Sequence, residues 1–257
     1  MFLKLIRTLA PAVIALALGG VCFAGDRLPE PNLKFAPPSG NGPLLVMFSG
    51  NGGPYTIEES AQTFAKEGYV VAVIDTTEFY SLLFIPDVEE TSQYVRGLIG
   101  GLLKMPEVTS TKSVVIGYSL GGRIALGFAN RMPDLVASVV AYYPATIRSG
   151  DPLKFLTEPK LTVPTLFLQG EKDFAFLECC NLKDARILQG IASSPSVQAP
   201  MELFEYPEAR HGFNINRINM RNYDRKRMDN MDYRQDDDID SVKRTLAHFK
   251  KHSTKII

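Results

Sequence analysis

The sequence predicts an α/β fold on three observations. Short continuous apolar runs recur along the chain, segments with helical periodicity lie between them, and no internal repeat or long Pro, Gly or Ser linker divides the series. The runs are Leu44–Phe48, Tyr69–Ile74, Ser113–Ile116, Val136–Tyr142 and Thr165–Leu168, with Met201–Tyr206 a weaker sixth. Apolar runs of about four to eight residues without alternation fit strands covered on both faces, as in a parallel sheet.

The helical segments follow in order. Thr56-Ile57-Glu58-Glu59 reads as a capping box, opening a helix that ends at Gly68. Val95, Leu98, Ile99, Leu102 and Leu103 keep the spacing of one helical face, and Pro106 lies just beyond. Leu120–Arg131 is a third helix, stopped before Pro133. Val242, Leu246 and Phe249 give the apolar stripe of a C-terminal helix, with Asp236–Asp240 at its start, where the helix dipole favours acids. That acidic run lacks the glycine and spaced glutamate of an EF-hand loop. Strands alternating with helices imply right-handed βαβ units and an α/β sheet.

Composition excludes several functional classes. The 257 residues hold 28 Lys+Arg and 28 Asp+Glu, 45% apolar and 22% charged residues, as in globular chains rather than disordered ones. A nucleic-acid binder would carry a basic excess, and three cysteines do not make a disulfide scaffold.

The first 24 residues read as a cleaved secretory signal. Lys4 and Arg7 form a positive start, Leu9–Val21 is apolar apart from small residues and Pro11, and Cys22-Phe23-Ala24 supplies a cut after Ala24. The apolar core is shorter than the roughly 20 residues of a spanning helix, so cleavage leaves no membrane anchor. The expected mature chain, residues 25–257, is one domain of 233 residues with a net charge of −2, since Lys4 and Arg7 are lost without any acid. That balance favours neither nucleic acid nor membrane as partner. The remaining cysteines, Cys179 and Cys180, are adjacent; they read either as a vicinal disulfide or as two loop thiols.

Gly117-Tyr118-Ser119-Leu120-Gly121-Gly122 follows one predicted strand and precedes a helix, the context that a G-x-S-x-G turn requires. The serine must occupy a strained strand-to-helix turn, where side chains two residues either side would collide. The turn exposes the Ser119 hydroxyl and sets the Leu120 amide at a helix N-terminus, where an oxyanion can bind.

A serine needs a base, and the chain has three histidines. His248, among Arg244, Lys250 and Lys251, reads as a surface residue, and His252 as part of the tail. His211, in Arg210-His211-Gly212-Phe213 just past the last strand, is left by elimination and by position. The acid that orients it should lie between serine and histidine in the chain. Asp173, in Gly170-Glu171-Lys172-Asp173 after the strand Thr165–Leu168, is the first choice; Glu171, Glu178 and Asp184 are the alternatives. The second oxyanion donor is expected in Ser49-Gly50-Asn51-Gly52-Gly53, from the Asn51 amide or that of Gly52.

These three segments, Gly117–Gly122, Gly170–Asp173 and Arg210–Phe213, resemble the dienelactone hydrolase family of α/β-hydrolases over roughly residues 40 to 250. The resemblance implies a mostly parallel sheet with helices on both faces, with Ser119 as nucleophile, His211 as base and Asp173 as acid. Founding members carry cysteine at the nucleophile position, whereas this chain has Ser119. The implied activity is hydrolysis of a small-molecule carboxylic ester through an acyl-enzyme, with no metal or organic cofactor. A serine peptidase or acyltransferase would use the same residues, and a non-catalytic binding protein would share only the fold. Two further segments bear on the substrate. Phe79–Val88 reads either as an acyl-pocket wall or as a buried connection. The basic residues Arg210, Arg217, Arg221, Arg225, Lys226, Arg227 and Arg234 read either as an attractor of anionic substrate or as a solvated face.

Overall fold

Each of the six apolar runs forms a strand in the computed structural model, which describes residues 28, 32–76, 88–145, 161–173, 180–193, 199–216 and 231–253. In chain order the elements are β1 (Leu33–Phe35), β2 (Leu44–Phe48), α1 (Glu58–Lys66), β3 (Val70–Ile74), α2 (Val88–Leu102), β4 (Ser113–Tyr118), α3 (Leu120–Ala129), β5 (Val136–Tyr142), β6 (Thr165–Gly170), α4 (Leu182–Ala192), β7 (Met201–Tyr206) and α5 (Gln235–Ser253). The sheet order is β1-β3-β2-β4-β5-β6-β7. Every pairing is parallel except the antiparallel β1–β3 edge.

Continuous apolar strands are explained by burial on both faces. Along β2, Leu44, Val46 and Phe48 point to one layer with Val95, Ile99 and Leu102 of α2, Ala125 and Phe128 of α3, and Ala185 and Leu188 of α4. Leu45 and Met47 point to the other, with Ala61 and Phe64 of α1 and Phe249 of α5. All five β2 residues are fully buried.

The strand order places the site. From β2 the chain steps to β3 on one side and later to β4 on the other, so β2 and β4 are neighbours at the point where winding reverses. In open α/β sheets this opens a crevice beyond the carboxyl ends of those strands. Phe48 pairs with Gly117 in register, which sets the loop after β2 beside the turn after β4.

One local expectation is corrected. Thr56 caps nothing: Pro54–Ile57 forms a short 3-10 turn, and α1 begins at Glu58 with no side-chain cap. Pro54 fits the first turn of helical winding, so Thr56 falls inside that turn. Its hydroxyl donates to the Gly53 carbonyl at 2.7 Å instead.

At the opposite terminus α5 carries Asp236, Asp237 and Asp238 in its first turn and Lys250, Lys251 and His252 in its last, matching both ends of the dipole. Asp238 accepts a hydrogen bond from Tyr233 Oη at 3.2 Å. It lines a groove of about 320 Å³ between α1 and α5, with Glu59, Ser60 and Asn214. Burial, reinforced by Glu59, pushes the Asp238 carboxyl up to about 6. An acid whose pKa is raised on folding holds its proton more tightly in the folded chain. The stability it contributes is complete below the unfolded value near 4 and is lost as pH rises through about 6. Asp238→Asn, which cannot ionise, is therefore expected to gain on wild type as pH rises from 4 to 7. Two pKa units correspond to roughly 3 kcal/mol, and partial exposure reduces the gain to roughly 1–2 kcal/mol. Paired denaturant melts at pH 4 and pH 7 check this; a difference independent of pH would contradict it.

Candidate active site

Ser119 sits between β4 and α3 with φ 53° and ψ −114°, a left-handed conformation that costs a non-glycine residue about 1–3 kcal/mol. The surroundings hold it there. Its amide donates to the Tyr142 carbonyl at 3.0 Å, and its carbonyl accepts from the amides of Gly122 at 3.0 Å, Arg123 at 3.3 Å and Ala145 at 2.9 Å. The flanking glycines are required sterically, as the sequence implies. A Cβ on Gly117 would lie 2.2 Å from the Gly121 carbonyl oxygen, and one on Gly121 2.2 Å from that of Phe48.

His211 and Asp173 arrive from the carboxyl ends of β7 and β6. The two loops are laced together by Glu171 N–H to Tyr206 O at 2.9 Å and Lys172 N–H to Ala209 O at 3.0 Å. Gly212 has φ 67°, the bend that turns the chain after His211. His211 Nε2 lies 3.0 Å from Ser119 Oγ, and His211 Nδ1 lies 2.9 Å from Asp173 Oδ2. A carboxylate only accepts, so the Nδ1 proton must point to Asp173. Nε2 then carries the lone pair and accepts from the Ser119 hydroxyl. His211 and Asp173 are 3% and 2% exposed, which keeps water from competing for either bond. Of the alternative acids, Asp184 serves α4, its backbone amide accepted by Asn181 Oδ1 at 3.0 Å. Glu178 lies outside the described residues.

The loop after β2 meets the nucleophile as its neighbouring register predicts. A Cβ on Gly50 would be 3.4 Å from Ser119 Cβ, so Asn51 and Gly52 follow directly on a residue that touches Ser119. Ser49 Oγ accepts from the Thr76 amide at 3.2 Å, while Thr76 Oγ1 donates to the Ser49 carbonyl at 2.7 Å, anchoring the base of this loop. Leu120 opens α3, so its N–H has no carbonyl one turn back within the helix. The two amides named from the sequence, Asn51 and Leu120, belong to the loop after β2 and to the first residue of α3, both adjoining Ser119.

Two buried residues join the site that sequence reading did not single out. Gln169, 1% exposed at the end of β6, donates through Nε2 to Asp173 Oδ2 at 3.1 Å and to the Cys180 carbonyl at 2.7 Å. A glutamine closing an apolar strand is the signal that could have found it. Tyr143, with φ 35°, packs its ring 4.6 Å from that of His211 and donates through its hydroxyl to Asn214 Oδ1 at 2.7 Å. Gln169→Leu removes a donor from the Asp173 carboxylate without touching Ser119 or His211. It is expected to lower kcat roughly tenfold with KM nearly unchanged, a loss of order 1.4 kcal/mol for one charged hydrogen bond; steady-state kinetics on an activated ester check it.

Other expectations fall differently. His248 is not on the surface: it is 4% exposed, because Ser241, Thr245, His248 and Phe249 form the buried stripe of α5, with the lysines on other faces. His252 lies in the last turn of that helix rather than in a tail. Cys180 is disulfide-bonded and buried, whereas Cys179 lies outside the described residues. Residues 1–24, 79–87, 217–230 and 174–179 are outside them too, and with them the leader, nearly all of the apolar segment and five of the seven basic residues. Of the other two, Arg234 Nε pairs with Asp237 at 2.6 Å.

A mostly parallel sheet with a serine turn at its switch point and a Ser–His–Asp relay beside it defines a hydrolase of the α/β-hydrolase fold. Residues 33–253 match the model of the dienelactone hydrolase family, and the chain belongs to that family. Solved structures agree on the fold. A Klebsiella pneumoniae protein provisionally named a dienelactone hydrolase is 20% identical, with a TM-score of 0.65 over 86% of this chain and 92% of that one. Dienelactone hydrolase from Anabaena variabilis is 16% identical, with a TM-score of 0.56 over 86% and 91%. The acylaminoacyl peptidase of Pyrococcus horikoshii is 15% identical, with a TM-score of 0.60 over 86% of this chain and 39% of that one. No curated protein matches the chain in sequence.

Proposed function

We propose that this chain is an exported serine hydrolase that cleaves a carboxylic ester or lactone through an acyl-enzyme. The observation that carries the reading is the continuous hydrogen-bonded line from Ser119 Oγ through His211 to Asp173. Ser119 Oγ attacks the ester carbonyl carbon as His211 Nε2 takes its proton. The oxyanion accepts from the amides of Leu120 and Asn51. The imidazolium, stabilised by Asp173, then protonates the departing alkoxide as the carbon–oxygen bond breaks. Water repeats the sequence: His211 takes its proton, the hydroxide adds to the acyl carbon, and Ser119 leaves with its proton restored. The residues in place supply every proton transfer, so the chemistry needs no metal or organic cofactor.

Export rests on the residues of the leader: Lys4 and Arg7, the apolar stretch Leu9–Val21, and small residues up to Ala24. N-terminal sequencing of exported protein is expected to begin at Gly25.

An ester panel on the mature protein, with peptide and alcohol-acceptor controls, tests the activity. Turnover of short-chain esters with water as acceptor supports the reading. Preference for peptide bonds or for added acceptors would reassign the chain to a peptidase or acyltransferase. A folded protein that neither turns over esters nor reacts with a fluorophosphonate would be a binding protein on this fold.

A further inference from the structure

The two histidines that the proposed reaction leaves unused meet each other and an acid at the far end of the sheet. His248 and His252 are four residues apart on α5 and share a face, with ring centroids 4.7 Å apart. Glu202 comes from β7, and one donor atom from each of Glu202, His248 and His252 lies within 4.8 Å of the other two. Glu202 stands near the amino end of its parallel strand, whereas Ser119, Asp173 and His211 follow the carboxyl ends of theirs. This cluster is therefore remote from the serine.

The hydrogen bonding leaves a nitrogen on each imidazole without a partner beside that carboxylate. His248 Nε2 lies 3.4 Å from the Pro164 carbonyl. A carbonyl only accepts, so Nε2 carries the proton and Nδ1 the lone pair. His248 Nδ1 and His252 Nε2 are both buried without a hydrogen-bond partner among the described residues. A buried polar nitrogen left without a partner is costly, and two of them beside a carboxylate point to a shared ligand. A backbone carbonyl that fixes the tautomer from the other ring nitrogen is the usual support of a metal-bound histidine. Among the described residues, Lys251 Nζ pairs with Glu202 Oε1 at 2.6 Å. It extends from the exposed side of α5 and is the group an incoming ion would displace.

We propose that Glu202, His248 and His252 form a binding site for a divalent transition-metal ion of the zinc class. Two imidazoles and a carboxylate suit a borderline cation rather than magnesium or calcium, and leave a fourth position for water. Because the ligands come from α5 and β7, the ion pins the end of the last helix to the sheet, a structural role separate from hydrolysis.

The test is calorimetric titration of zinc chloride into untagged, chelator-treated mature protein, with thermal melts alongside. Expected are one ion per chain, a Kd below roughly 10 µM, and a Tm rise of roughly 5 °C or more at about a hundred times Kd. Magnesium chloride should give neither. Cobalt(II) should give visible d–d absorption, and zinc should quench it. His252→Ala and Glu202→Gln, both partly exposed positions, should each weaken zinc roughly tenfold or more, while the fluorophosphonate labelling rate stays at the wild-type value and shows the variants folded. Absence of zinc binding to folded protein, unchanged affinity in both variants, or an equal response to magnesium would overturn the proposal.

Discussion

Ser119→Ala is expected to lower kcat/KM for a short-chain p-nitrophenyl ester by roughly 10⁴–10⁶-fold and to leave the fold intact. The size follows from the site. The hydroxyl is the group that His211 Nε2 faces, at 3.0 Å. Alanine keeps the Cβ, and the backbone bonds of residue 119 to Tyr142, Gly122, Arg123 and Ala145 do not involve the hydroxyl. Stability should thus change by less than about 1 kcal/mol, and the melting temperature separates lost chemistry from lost structure. A residual rate near wild type would remove Ser119 from the reaction.

His211→Gln is expected to lose nearly as much, although the serine remains. Glutamine roughly keeps the volume against Tyr143, but its amide cannot take a proton from Ser119 at neutral pH. Residues that act as one unit are not additive. The double variant Ser119→Ala/His211→Gln should therefore lose no more than either single variant, within about threefold, where independent contributions would multiply. Fluorophosphonate labelling of His211→Gln should slow in parallel with turnover, since the same proton transfer activates the serine toward both. Multiplicative losses would show that the two residues do not work together.

How much of this was legible in the chain depends on how local the signal is. Ser119 announces itself because its strained turn forces glycine at 117 and 121, five consecutive residues that carry their own geometry. His211 could be chosen because only three histidines exist, and Asp173 because it follows a recognisable strand. Leu44–Phe48, Val136–Tyr142 and Met201–Tyr206 match their strands end to end; the first two are apolar because helices cover both faces of the sheet there. The signals that failed are those made in space. β1 is three residues long at the edge of the sheet, too short for a pattern. In α4 the buried contacts are Ala185 and Leu188 among charged neighbours, a thin stripe. Gln169 matters because Cys180 and Asp173 converge on it, which no spacing reveals. His248 reads as exposed because Arg244, Lys250 and Lys251 surround it in sequence, whereas the 241, 245, 248, 249 periodicity buries it.

The relay also explains why burial and reactivity coexist here. His211 and Asp173 are closed off, while Ser119 retains partial exposure at the crevice between β2 and β4. In the proposed reaction the substrate would meet the hydroxyl while the groups that would activate it stay dry. Gln169 extends the same logic one step further from the reacting atoms, holding the carboxylate that holds the imidazole.

The most direct test of the central claim is peptide mapping after reaction of the mature protein with a fluorophosphonate. One adduct per chain is expected, on the segment spanning Gly117–Arg123 and located at Ser119, formed at a rate that falls with His211→Gln. An adduct on any other residue, or none on folded protein that hydrolyses esters, would contradict the account.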